Sequence, residues 1–234
     1  VYRGSVTCWS CGTRWGQEAL ADEWESQGGV VLVCENGYLG VDGAGHQLYA
    51  ISEHGHNGSG WFPIGTEDRF SGLGVEVKPW RAAGEHVLVC AQRGIGSCKM
   101  RSPSRWDAAV VAEVQRLTKR EVRLRPHPGR HAGKPLEDDL RGAHACVIWS
   151  SSSGVRALVE GIPVVRAAPW WICSEAAVRS VTRVNMLLLD DTARANALHK
   201  MSHGQWTLAE IESGEPFKRI LEGLKHANRL PGQR

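Results

Sequence analysis

No apolar run in this chain approaches the roughly 18 residues needed to cross a membrane, so no membrane partner is expected. From Val1 onward there is no charged, apolar and small-residue succession of the kind that marks a secretory leader. Neither sign of charge dominates. The balance of 28 Lys and Arg against 25 Asp and Glu leaves +3, which is compatible with a polyanionic partner without demanding one. Seven cysteines, an odd number, do not read as a disulfide framework in 234 residues, and a reducing, cytoplasmic setting is expected. Phe and Tyr are scarce, at three each, whereas Trp numbers ten. A tryptophan is most often a core filler, but it is also the preferred platform for a sugar ring or a base. An apolar fraction of 42% and a charged fraction of 23% exclude global disorder.

The first forty residues read as a β-α-β unit: a strand over Val1 to Thr7, a helix over Arg14 to Gln27, and a short apolar strand over Val30 to Cys34. Trp15, Ala19, Leu20 and Trp24 fall at helical spacing, and Gly28-Gly29 ends the helix. Residues 35–80 are glycine-rich, and E-H-G-H-N-G-S-G (53–60) has no helical or strand period, the mark of a functional or mobile loop. Order resumes with V-L-V-C (87–90). A helix over about Pro103 to Lys119, the strand E-V-R-L-R (121–125) and a short helix over Pro135 to Gly142 follow. The strand A-C-V-I-W, the serines 150–153, a helix to Glu160 and the strand I-P-V-V complete this half. Strands alternating with helices imply a parallel sheet covered on both faces. The expected fold is α/β, with two Rossmann-like parallel-sheet lobes over 1–84 and 85–178 and a helical segment over 179–234.

Ligands of open parallel sheets bind beyond the carboxyl ends of the strands. Three loops of the second half reach that edge: Gln92-Arg93-Gly94 with Ser97, Arg125-Pro126-His127-Pro128, and Ser150 to Gly154. Together they offer guanidiniums, an imidazole, hydroxyls and the amides of a helix start, which is the inventory of a phosphate site. Taken singly, Ser152 or Ser153 is a helix cap, Arg125 a strand-end surface charge, and the prolines are turn formers. Three such loops on one edge favour the anion.

The succession R-P-H-P, short helix, strand, serine turn and G-V-R-A-L-V-E-G-I-P-V-V resembles the nucleotide-sugar half of GT-B-fold glycosyltransferases. It is similar in particular to the capsule and sialic-acid-type branch, over residues 85–165. That resemblance implies a donor lobe in the second half and an acceptor lobe in the first, braced by the tail. It further implies donor phosphates held by His127-Pro128 and Ser151, Ser152, Ser153 and Gly154, with Glu160 reaching the ribose. Val155-Arg156 stands where the branch commonly has Glu-Ala, a departure that bears on Glu160. The tail H-G-Q-W-T-L-A-E-I-E-S-G-E-P-F (203–217), with Tyr2-Arg3-Gly4 and Gly37 to Gly40, resembles small phage-encoded glycosyltransferases that modify hydroxymethylated DNA bases. The activity this implies is transfer of a sugar, from a UDP-sugar first, to a 5-hydroxymethylpyrimidine of DNA in the cytoplasm of an infected host, with no metal. A transferase acting on cell-envelope or capsular glycan, or a non-catalytic DNA-binding protein of the same fold, are the alternatives.

In such a reaction Arg93, Arg125 and His127 stabilise the leaving phosphate. An inverting reaction needs a base near the acceptor hydroxyl, and the open glycine-flanked loop places His56 and Glu53 first, with His54, Asp68 and Glu35 behind them. For a DNA acceptor, Arg14, Arg69, Lys78 and Arg81 supply phosphate contacts and Trp61 or Trp80 a stacking wedge. Each of these is equally a solvated loop residue. Cys8-Trp9-Ser10-Cys11 between a strand and a helix admits a redox dithiol, though small residues packed in a β-α turn explain it as well.

Overall fold

Val87 to Cys90 and Ala145 to Ile148 are apolar at consecutive positions, as a strand covered on both faces requires. In the computed structural model they are the two central strands of a five-stranded parallel sheet. The structure describes residues 14–81, 83–92, 94, 101–128 and 133–227, with the side chains of 14–19 outside that description. In chain order the elements are α1 (Arg14–Ser26), β1 (Leu32–Val41), β2 (Gln47–Glu53), α2 (Arg69–Gly72), β3 (His86–Cys90) and α3 (Trp106–Leu117). They continue with β4 (Glu121–Arg125), α4 (Leu136–Leu140), β5 (Ala143–Ile148), α5 (Ser153–Val159), β6 (Val164–Arg166) and β7 (Ala177–Arg179). The chain closes with α6 (Asp191–Ser202), β8 (Gln205–Thr207), α7 (Leu208–Glu212) and α8 (Glu215–His226).

The parallel sheet has the order β4-β3-β5-β6-β7. Leu88, Cys90, Cys146 and Ile148 pack on one face, with α5, while Val87, Val89 and Val147 pack on the other, against Trp106, Val110 and Val114 of α3. The helix expected over about Pro103 to Lys119 and the strand-helix alternation of this half are therefore present.

The first half differs from the expected second parallel lobe. Its helix is there as α1, but the proposed strand Val1 to Thr7 lies outside the described residues. β1 pairs antiparallel with β2, from Leu32↔Glu53 to Val41↔Gln47, and β8 from the tail adds antiparallel to β2. The physical reason is the short link at residues 42–46. The Asp42 carboxylate accepts from the amides of Ala44 (2.9 Å) and His46 (2.8 Å), and Gly45 takes φ +87. A tight turn can only reverse the chain, since a parallel return needs a long crossover.

One continuous core joins the sheets: Tyr38, Leu39, Leu48 and Ala50 of the antiparallel sheet share it with Val155 and Leu158 of α5 and Ile148 of β5. Among the described residues no helix is long and apolar enough to cross a membrane.

Candidate active site at the carboxyl edge of the parallel sheet

The sheet order makes β3 and β5 neighbours whose following helices, α3 and α5, leave to opposite faces. That is the topological switch point, where an open parallel sheet forms its ligand crevice. Gln92 and Ser150 meet there. The Gln92 side-chain oxygen accepts from the Ser150 amide at 2.9 Å, and its Nε2 donates to Ser150 Oγ at 3.1 Å. Ser150 is thereby buried as the anchor of the turn. Ser151 Oγ accepts from the Ser153 amide at 3.2 Å and donates to Ser153 Oγ at 3.1 Å. The cap expected of Ser152 or Ser153 is thus made by Ser151. Ser152 occupies the N-cap position of α5 with an exposed side chain that makes no cap hydrogen bond. Gly154 is fixed by packing, since a Cβ there would lie 2.6 Å from Ile148 Cδ1 and 2.7 Å from Trp171 Cζ2.

Against this turn lies the glycine-rich loop of the antiparallel sheet. Asn57, buried and left-handed at φ +48, donates its side-chain N–H to the Ser150 carbonyl and accepts from the Ile172 amide at 3.4 Å. Trp171 Nε1 donates to the Ser151 carbonyl at 3.2 Å, while the Trp171 backbone lies against Gly58, so one residue touches turn and loop together. Behind Asn57 stands Tyr38, whose phenolic oxygen accepts from the Asn57 amide at 2.7 Å. Its own O–H is hydrogen-bonded to the Glu35 carboxylate. Burial pushes the Glu35 carboxyl above the usual carboxylate range, against the opposing pull of His56, Tyr38 and the Asn57 amide. Burial likewise raises the Tyr38 phenol well above its ordinary value, with the Glu35 charge adding to it. Glu35 Oε1 is buried without a hydrogen-bond partner among the described residues.

Of the carboxylates ranked with it, the one whose charge His56 feels is Glu35, without a direct hydrogen bond between them. Glu53, ranked ahead of it from sequence, is buried at the end of β2, where its backbone exchanges hydrogen bonds with Trp61 at 2.7 and 3.0 Å. His54 turns outward to Glu25 at 2.7 Å. Asp68 caps α2.

The remaining expected residues scatter. His127 is exposed in the loop after β4. The Arg125 guanidinium is turned into its own half, bonding the Asp139 carboxylate and the carbonyls of Lys134 (2.8 Å) and Pro135 (3.5 Å). Glu160 pairs with Lys78 at 2.6 Å. Arg93, Ser97, Cys8 and Cys11 lie outside the described residues, as does the side chain of Arg14. Among the residues assigned to DNA, Arg69 and Arg81 are engaged within the fold. Arg69 reaches the carbonyls of Ser202 (3.0 Å) and Gln205 and the Glu210 carboxylate (2.8 Å), stacked 4.2 Å over the Trp206 ring. Arg81 bonds the carbonyls of Leu140 (2.8 Å) and Ala143 (2.9 Å), at the amino edge of the sheet. Trp61 is half-buried against the α8 core. No group of three His, Cys, Asp or Glu side chains that could hold a metal occurs among the described residues.

Sequence reasoning missed Asn57, Tyr38 and Trp171. The Asn-Gly dipeptide at 57–58 is a signal for a left-handed turn, but nothing local shows that the turn faces Ser150.

No family model matches the chain, and no curated protein matches it in sequence. Among solved structures it is similar to KpsC of Thermosulfurimonas dismutans, a β-Kdo 2,7 transferase, at 14% identity over 83% of this chain and 78% of that one. The TM-score is 0.44, a likeness too loose to bear on the activity of this chain.

Proposed function

We propose that the chain is a nucleotide-sugar-dependent glycosyltransferase whose donor phosphates lie at the serine turn and whose acceptor hydroxyl is deprotonated from the glycine-rich loop. The observation that carries this reading is the Asn57–Ser150 contact, which brings the loop that carries His56 against a hydroxyl-rich turn at the switch point. His56 takes the acceptor proton as the acceptor oxygen bonds to the anomeric carbon. The bond from that carbon to the phosphate oxygen breaks, and the phosphate leaves with the electron pair. The Glu35 carboxylate, fixed by Tyr38, holds the imidazolium through its charge. Ser152, with its exposed side chain at the start of α5, and His127 across the edge meet the departing phosphate. UDP-sugars are the first donors to test.

For the acceptor, the internal engagement of Arg69 and Arg81 and the half-burial of Trp61 favour a saccharide, as in cell-envelope or capsular glycan, over a DNA duplex. The test is incubation with a panel of UDP- and CMP-sugars and two acceptor sets, envelope oligosaccharides and DNA containing 5-hydroxymethyluracil or 5-hydroxymethylcytosine. Product masses are then measured. Addition of a sugar to the oligosaccharide is the expected outcome. Addition to the DNA base alone reverses the acceptor assignment, and no addition or nucleotide release with any donor removes the transferase reading.

A further inference from the structure

A histidine can be buried while it is neutral, with one ring nitrogen donating and the other accepting; an imidazolium has two donors, no acceptor and a charge. His203 caps the carboxyl end of α6 with 1% of its surface exposed. The Gly65 amide donates to its Nδ1 at 3.4 Å, and Arg219 Nη2 of α8 donates to the same nitrogen at 3.4 Å. Neither partner can accept, so Nδ1 is the acceptor and the ring proton sits on Nε2. Nε2 is buried without a hydrogen-bond partner among the described residues. The ring stands edge-to-face with His199 at 4.9 Å.

The surroundings oppose a positive charge on this ring. The charged and titratable groups that face it are Glu67 on the segment before α2, Arg69 on α2, His199 on α6 and Arg219 on α8. Glu67 Oε1 lies 3.7 Å from Nδ1, but the same oxygen is bonded to Arg219 at 2.6 Å. Arg69 is held by Glu210 at 2.8 Å. Both guanidiniums also lie over the Trp206 ring, at 4.2 and 5.6 Å. Two carboxylates thus already face two arginines, and an imidazolium would be a third cation with no carboxylate of its own. Burial, chiefly, and then the charges of His199, Arg219 and Arg69 lower the proton affinity of His203 from its ordinary value, against the pull of Glu67.

We infer that His203 is an acid-sensitive joint between the tail and the first half of the chain: as a neutral ring it ties Gly65 and α8 to the end of α6, and on protonation it releases them. A proton on Nδ1 turns the acceptor into a donor that faces two donors, so both contacts are lost together. The joint adjoins the glycine-rich loop. Residues 62–65 continue the segment that carries His56 and Asn57, and Phe62 packs so close to Gly204 that a Cβ there would lie 2.8 Å from its ring. Acidification therefore loosens the far end of that loop from the tail. The inference does not rest on the transferase reading, since these contacts exist whatever the reaction.

Urea unfolding of the full chain between about pH 8 and about pH 5 tests it, on the parent and on His203→Asn, whose side-chain oxygen stands in for the Nδ1 acceptor and does not titrate. A histidine that is harder to protonate when folded contributes its stability fully above its unfolded value, about pH 6.5, and loses it as pH falls toward the folded value. The urea midpoint of the parent is therefore expected to shift down on acidification by more than that of His203→Asn. The difference between the two proteins cancels the like contribution of His144 and the opposite one of Glu35. Amide exchange gives the local readout. In the parent the Gly65 amide is expected to lose protection, relative to the unfolded-chain rate, as pH falls through this window. The Asn57 amide, which donates to Tyr38, is expected to keep its protection. The inference is overturned if the two midpoints shift equally, if Gly65 protection in the parent does not change with pH, or if Gly65 and Asn57 lose protection together. Should His203→Asn fail to fold, the comparison of these two amides in the parent decides.

Discussion

Asn57 joins the two sheets: its side-chain N–H donates to the Ser150 carbonyl while its oxygen accepts from the Ile172 amide at 3.4 Å. One left-handed residue thus holds the loop that carries His56 against the turn that carries the serines. Asn57→Gly keeps the backbone conformation and removes both side-chain bonds, so it isolates them. The expected loss is about 1–3 kcal/mol in urea unfolding. Asn57→Ala should cost more, since alanine tolerates φ +48 less well. An Asn57→Gly protein as stable as the parent would mean the contact contributes nothing.

Glu35 is expected to trade stability against activity. Its folded-state proton affinity is raised by burial, so the native chain holds that proton more tightly than the unfolded chain does. Stability from this group is therefore greatest at low pH and is lost as pH rises through the folded value. Glu35→Gln should be at least as stable as the parent at neutral pH. Its turnover should fall, because the carboxylate no longer holds the His56 imidazolium. In the parent, protonation of Glu35 should add to the loss of rate on acidification above the usual carboxylate range, and Glu35→Gln should change the shape of that acid limb. A pH–rate profile unchanged by the substitution would remove Glu35 from the site.

Gly58 of the site should be far less tolerant of substitution than Gly72. Gly58 has φ +90, and a Cβ there would lie 2.5 Å from the Trp171 carbonyl carbon, a backbone atom that cannot step aside. Gly58→Ala should destabilise by about 1–3 kcal/mol. Gly72, at the end of α2 with nothing within 4 Å of an added Cβ, should accept alanine with no loss. Equal thermal shifts for the two variants would contradict the packed loop.

Arg69 separates a structural from a DNA-binding role. Its contacts to Ser202, Gln205, Glu210 and the Trp206 ring clamp the tail to α2. Arg69→Ala should cost about 2–4 kcal/mol, and Arg69→Lys should recover little, because a lysine cannot reproduce the forked contacts. A variant of unchanged stability that has lost affinity for DNA would return Arg69 to the acceptor surface.

The parallel half was legible because its two inner strands carry unbroken apolar runs. Val87 to Cys90 and Ala145 to Ile148 can only be strands covered on both faces. β1 was legible only at its start, where the expected strand over Val30 to Cys34 overlaps it, because Glu35, Asn36, Gly37 and Gly40 interrupt any alternation beyond. Gly37 is there because the Leu48 backbone approaches too closely for a Cβ, which would lie 2.6 Å from the Leu48 oxygen. Local pattern could not report that β8 would come from the tail to pair with β2. The serine turn was found from its position after a buried strand. The internal contacts of Arg69 and Arg81 were not legible, because an arginine in a loop looks the same in sequence whether it faces solvent or binds carbonyls. Asn57 and Tyr38 acquire their roles only through contacts across more than ninety and about twenty residues.

Donor binding at the serine turn is tested most directly by titrating UDP-sugars, and CMP-sugars in parallel, into the parent chain, the Ser152→Ala with Ser153→Ala variant and His127→Ala. At least one donor is expected to bind the parent, and its affinity is expected to fall about tenfold or more in the serine variant and measurably in His127→Ala. Equal affinity across all three proteins, or no binding of any nucleotide sugar to the parent, would contradict a donor site at Ser150 to Gly154.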